Sequence, residues 1–138
     1  MESEEIDEDE MTLEEAIAAA DALLPGIPAP DGELDARWAA IMRIDEYDEL
    51  HPQSGREAVW EFILRWGAHP HDDVRMAIAC CLLEHVLDRH WGDCFPRAKE
   101  QAKSSPLFAG TLSHCWLSLE YPGRRAELAA FNAETRKR

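Results

Sequence analysis

Histidine and cysteine are the residue types in this chain whose spacing could do chemistry. His90 and Cys94 are four positions apart, a spacing that would chelate zinc if one helix carried both. His114 and Cys115 are adjacent, and a Cys–His pair can supply a nucleophile and its base. Gly92 is expected to end the helix before Cys94, and adjacent helical residues do not face each other. We therefore expect no metal centre, no cofactor and no catalytic residues, although a small metal- or Cys/His-dependent enzyme stays open as an alternative.

A cluster of carboxylates near the end of the second predicted helix is the stronger candidate for a binding surface. Its members are Asp45, Glu46, Asp48 and Glu49. Negative side chains at a helix C-terminus interact unfavourably with the helix dipole, so helix stability does not explain them. We interpret them, together with Trp91, as partner-binding residues, because exposed aromatic residues are enriched at interface hot spots. The alternatives are a solvated helix end for the acids and a lid over the helix end for Trp91.

The charge of the chain is concentrated at its start. The sequence has 28 acidic and 14 basic side chains and a net charge of -14. The first 36 residues hold 13 acids and no base, which leaves 15 acids against 14 bases in the rest. Residues 1–10 are therefore interpreted as an acidic tail, and 11–138 as a single domain. The net charge disfavours nucleic acid and anionic membranes as partners, although less so for the nearly neutral remainder of the chain. A basic protein partner is favoured by the acids of residues 1–36 and of the Asp45–Glu49 cluster.

The sequence shows no targeting or membrane-spanning pattern. Its start lacks the positive and apolar regions of a secretory signal. The apolar run at 76–83 has only eight residues, far fewer than a membrane span needs. We expect a cytoplasmic protein in which the four cysteines are free thiols and no membrane is a partner.

Helix start and stop signals predict a compact all-α bundle of six or seven antiparallel helices. Thr12 with Glu15, and Ser54 with Glu57, have the spacing of capping boxes. Ser105 followed by Pro106 places an N-cap before a proline at the first helical position. Asp31 is predicted to be the N-cap of the second helix.

The apolar stripes predict which side chains form the core. A central helix over 72–91 is apolar nearly all round and is expected to be covered on several sides. A shorter helix is expected over 94–103. Trp116 and Leu119 continue a helical stripe that starts at Phe108, so Trp116 is expected in the core. Leu128 and Phe131 are expected to anchor the last helix.

The segment at 69–88 resembles the second helix of a HEAT-type repeat. Such repeats often have an Asp shortly before a Val-Arg pair, followed by small and aliphatic residues. The matching residues are Asp72 or Asp73, Val74, Arg75, Ala77, Ala79 and Leu82. The helix containing Trp60 and Trp66 would be its antiparallel partner, which implies stacked α-hairpins and a surface that holds a partner. The region 38–116 also resembles a family of short uncharacterised bacterial helical proteins, which implies no specific activity.

The sequence therefore predicts a protein-binding module. A concrete version is an immunity or antitoxin-like protein that neutralises a basic toxin, because negative charge speeds encounter with a basic enzyme. Besides the enzyme, the remaining alternative is a structural subunit that self-associates into a homo-oligomer.

Overall fold

The described part of the chain is entirely helical. A computed structural model describes residues 11–24 and 36–136, which form seven helices and no strand. The first three are α1 (Leu13–Leu23), α2 (Ala36–Leu50) and α3 (Arg56–Gly67); α4 covers 72–89; and α5 (Trp91–Ser104), α6 (Pro106–Ser113) and α7 (Pro122–Arg136) follow. The predicted all-α class is confirmed for these residues. The acidic tail at 1–10 and the predicted N-cap Asp31 lie outside them.

Two of the predicted helix starts are confirmed. The backbone N–H of Glu15 donates to the Thr12 hydroxyl at 3.1 Å, and the N–H of Thr12 donates to the Glu15 carboxylate at 2.9 Å. At the start of α6, the Ser105 hydroxyl accepts from the N–H of Phe108 at 3.2 Å, and Pro106 occupies the first turn. Both sets of bonds satisfy N–H groups that have no partner within the helix.

The capping box predicted at Ser54 is wrong. Gly55, with φ +75°, directly precedes α3, so the N-cap position has no side chain that could accept a capping hydrogen bond. A Cβ at this position would overlap the side chain of Leu13, so both the left-handed backbone and the close packing require glycine. The Ser54 hydroxyl instead lies 3.3 Å from the Tyr47 hydroxyl.

The central helix α4 contains a change of helical type. Its α-helical parts, Asp72–Ile78 and Glu84–Arg89, flank a π-helical segment, Ala79–Leu83. A π-helical segment contains one residue more than the α-helical turn that it replaces. The side chains that follow it are therefore rotated about the helix axis by about 100° from the positions they would have in an uninterrupted α-helix. The helix packs against α2, α3, α5 and α6, which confirms that it is covered on several sides.

The predicted end of the central helix is wrong by two residues. The backbone of His90, at φ -129° and ψ 44°, leaves the helical conformation, and α5 starts directly after it at Trp91. Gly92 therefore lies in the first turn of α5, and the helix predicted over 94–103 starts earlier than expected.

The stripe predicted to run from Phe108 through Leu119 is only partly right. Helix α6 ends at Ser113, and residues 114–121 form a loop. Phe108 is buried, but Trp116 is 72% exposed and Leu119 is 77% exposed. Trp116 is thus not a core residue, whereas Trp60 is 3% exposed and is one. Leu128 and Phe131 both pack onto the core, as predicted for α7.

Within the described residues, no helix is both long and apolar enough to pass through a lipid bilayer. Cys81, Cys94 and Cys115 are buried thiols, and Cys80 is half-buried. The antiparallel order of the helices and their HEAT-like stacking stay predictions.

Candidate functional site

An ion-pair network between α2 and the end of α4 includes two of the predicted site residues, Asp45 and Asp48. Asp48 is completely buried. Its carboxylate accepts from Nε of Arg89 at 2.9 Å, and Nε2 of His90 lies 3.0 Å from it. One turn earlier, the Asp45 carboxylate lies 3.0 Å from Nδ1 of His85 and also pairs with Arg89. Asp45 and Asp48 therefore hold α4 against α2.

The network favours the charged forms of Asp45, His85 and Arg89. Partial burial acts to raise the pKa of Asp45, but hydrogen bonds from His85 and Arg89 outweigh it and the pKa lies below its usual value. The hydrogen bond to Asp45 raises the pKa of His85 above its ordinary value of 6.5. Burial acts to lower the pKa of Arg89, but its two aspartate partners raise it overall.

The other two predicted acids, Glu46 and Glu49, lie at the surface and line different cavities. Glu46 borders a cavity of about 320 Å³ beside the side chains of Met11 and Arg43. Glu49 borders a cavity of about 540 Å³ whose lining also includes Arg89 and His90. The predicted acidic cluster is thus divided between an internal ion-pair network and two separate surface positions, and its role in binding stays a prediction.

Trp91 packs mainly against its neighbours at the start of α5. Its ring stacks on that of Phe95, with centroids 4.0 Å apart and planes 11° apart, and the Arg124 guanidinium lies 5.7 Å from its centroid. Trp91 is half-buried in this position, and its role as a lid over the helix end stays a prediction. A contribution of its accessible edge to partner binding stays a prediction.

The loop at 114–121 carries exposed side chains that the sequence analysis assigned to the core. Cys115 and Leu117 point into the core, whereas Trp116 and Leu119 are exposed. Hydrogen bonds to its backbone fix the loop. Carboxylates of α4 accept from loop N–H groups that would otherwise need carbonyl partners within a helix. The N–H of Trp116 donates to Glu84 at 2.8 Å, and the N–H of Ser118 donates to Asp88 at 3.1 Å.

The end of this loop meets the cavity beside Glu49. Glu120 and Tyr121 line that cavity. Arg124 lies 3.9 Å from the centroid of the Tyr121 ring and donates to the Asp88 carbonyl at 2.9 Å, which fixes the second end of the loop. Within the described part of the chain, the carboxylates of Glu49 and Glu120 have no ion-pair partner. The cavity therefore has two carboxylates available for a basic group.

Within the described residues, no histidine side chain considered for chemistry forms a hydrogen bond with a cysteine side chain. His90 contacts Asp48, whereas burial raises the pKa of the Cys94 thiol to about 11. Cys115 is buried, with its pKa raised well above the usual range by burial, and its neighbour His114 is exposed. These thiols are protonated at neutral pH and are poor nucleophiles. Among the residues that the structure describes, no three metal-ligating side chains converge.

Comparison of the chain with protein-family models, curated proteins and solved structures found no match.

Proposed function

We propose that this protein is a binding module that sequesters a basic protein partner. The observation that carries the proposal is the fixed loop at 114–121, which holds Trp116 and Leu119 in solvent on a backbone bonded to Glu84 and Asp88. Large apolar side chains of this kind dominate binding energies when a partner covers them. Because the loop is already ordered, binding loses little conformational entropy.

Charge supports a basic partner. The chain has a net charge of -14, which attracts a basic protein over long distances and speeds encounter. Close to the loop, the carboxylates of Glu49 and Glu120, which form no ion pair with any described residue, line a cavity of about 540 Å³. A lysine or arginine of the partner would place its charged end there, next to apolar contacts with Leu119.

The specific version of the proposal is an immunity or antitoxin-like protein that blocks a basic toxin. The resemblance of residues 69–88 to a HEAT-type helix supports it, because HEAT-like folds commonly offer extended surfaces that hold other proteins. The neutralising action would be steric, since the partner's substrate surface is covered by the loop and the acidic cavity.

The test is capture of a partner from the native host by the full chain and by two sets of variants. We expect the wild-type chain to retain a basic protein whose binding weakens as salt rises. Trp116→Ala with Leu119→Ser should abolish this capture. Met42→Ala, which truncates a side chain 54% exposed on α2, is the matched control and should retain it.

A companion pair, Glu49→Gln and Glu120→Gln, should weaken capture and reduce its salt dependence. The proposal is wrong if the captured protein is acidic, if its binding ignores salt, or if the Trp116 and Leu119 variant binds as well as the wild type.

A further inference from the structure

A groove between α6 and α7 has a charge opposite to that of the rest of the protein. It is lined by Ser113 and Trp116 on one side and by Arg125, Asn132 and Arg136 of α7 on the other. We infer that this groove binds an acidic peptide segment of a partner protein. The groove shares Trp116 with the loop proposed to bind a basic partner, but the arginines that carry this inference lie outside the cavity beside Glu49.

The arginines of the groove are available for a ligand. Arg125 and Arg136 form no ion pair within the described part of the chain, and none of the described residues that line the groove is acidic. In contrast, Arg65, Arg89 and Arg97 each bond to a carboxylate. In a chain with twice as many acids as bases, two arginines that line one groove and form no ion pair among the described residues are suited to carboxylates supplied from outside.

The shape of the groove suits an extended peptide. It consists of two adjoining parts of about 240 and 360 Å³, which share Ser113, Asn132 and Arg136. A Cβ added at Gly110 would have no heavy atom within 4 Å, so the space above this residue is open. The half-buried Asn132 amide makes no hydrogen bond within the described structure and can both donate to and accept from a peptide backbone.

The end of the groove that Trp116 lines adds a second kind of contact. The Arg125 guanidinium lies 4.7 Å from the centroid of the Trp116 ring. An apolar side chain of the peptide would pack on the exposed part of this ring while a neighbouring carboxylate meets Arg125. The expected ligand is therefore a short segment in which Asp or Glu residues flank an apolar residue. Nucleic acid is a poorer ligand, because its extended charge is repelled by the net charge of -14.

The test measures binding of the full chain to an array of short peptides in which Asp and Glu surround a variable apolar residue. A matched array carries Asn and Gln in place of Asp and Glu. We expect binding to the acidic array only. The double variant Arg125→Gln with Arg136→Gln should lower the affinity for the best acidic peptide at least about tenfold, because two charge-assisted hydrogen bonds are lost.

Gly110→Leu should block binding without changing the charge. Gly92→Leu is its matched control, because a Cβ there also meets no atom within 4 Å and Gly92 lies in α5, outside the groove; it should bind as the wild type does. Far-UV circular dichroism confirms that each variant is folded.

Equal binding to the two arrays, no binding to either, or full binding by folded Gly110→Leu would overturn the inference. Binding of inorganic phosphate or DNA as strongly as the acidic peptide would show a general anion site and would also overturn it. Capture of a basic partner by the arginine variants is a separate readout, so failure here and failure of the proposed function are distinguishable.

Discussion

Arg89 of α4 donates from Nε to the Asp48 carboxylate of α2 at 2.9 Å, and Asp48 has no contact with solvent. The same guanidinium also pairs with Asp45. A buried carboxylate is stable in its charged form only when charged or polar partners replace the lost water. Arg89 and His90 provide that replacement for Asp48, and they also join the two helices that border the cavity beside Glu49.

Arg89→Met is expected to lower the free energy of unfolding by about 3 kcal/mol, because it leaves the buried charge of Asp48 with His90 alone. Urea denaturation measures the change. The control is Lys103→Met, which removes an exposed pair with Glu100 and should cost less than about 1 kcal/mol. Equal losses in the two variants would show that the buried network does not stabilise the fold.

The pairing of His85 with Asp45 predicts a dependence of stability on pH. The pKa of His85 is raised in the folded state, so its contribution is complete below the unfolded pKa and is lost as pH rises through the folded pKa. Wild type should therefore exceed His85→Gln in free energy of unfolding by more at about pH 5.5 than at about pH 8.5. At such pH values Asp45 stays ionised, because its own pKa is lowered. A difference that is constant or grows with pH would contradict the pairing.

The local signals in the sequence were sufficient to predict most helices, because capping and apolar periodicity depend on residues only a few positions apart. The Thr12 capping box and the Ser105 N-cap are of this kind. Ser54 has the same spacing to Glu57, but Glu57 bonds to Arg97 of α5. A contact between residues 40 positions apart leaves no trace in the local pattern, and neither does the packing of Gly55 against Leu13.

The candidate site was less predictable for the same reason. Trp116 lies on a valid helical stripe, but the loop conformation is stabilised by contacts distant in sequence, including the bonds from its N–H groups to Glu84 and Asp88 on α4. Likewise, Asp45 and Glu46 are neighbours in sequence, yet one faces His85 and the other faces solvent. The π-helical segment Ala79–Leu83 also changes which α4 side chains meet α2, and periodicity at 3.6 residues does not reveal it.

The cysteines predict an order of chemical reactivity. Burial raises the pKa of Cys81 to about 12 and that of Cys94 to about 11, whereas Cys80 is only half-buried. Iodoacetamide should therefore modify Cys80 first in the folded protein, and Cys81, Cys94 and Cys115 only after unfolding. Peptide mapping by mass spectrometry at increasing times gives the order. Rapid modification of Cys94 would instead indicate an activated thiol and support the enzyme alternative.

Two glycines in helices predict opposite effects of the same substitution. A Cβ at Gly67 would lie 3.1 Å from two ring atoms of the buried Phe108, so Gly67→Ala forces α3 and α6 apart. We expect a loss of about 1–3 kcal/mol in the free energy of unfolding, as for other overpacked cores.

At Gly92 the added Cβ meets no atom within 4 Å, and neither Gly67 nor Gly92 has a positive φ. Gly92→Ala should stabilise the fold by up to about 1 kcal/mol, because alanine restricts the unfolded chain and favours the helix. Thermal and urea unfolding of the two variants measure both effects, and a stabilising Gly67→Ala would show that α3 and α6 are not in close contact at this point.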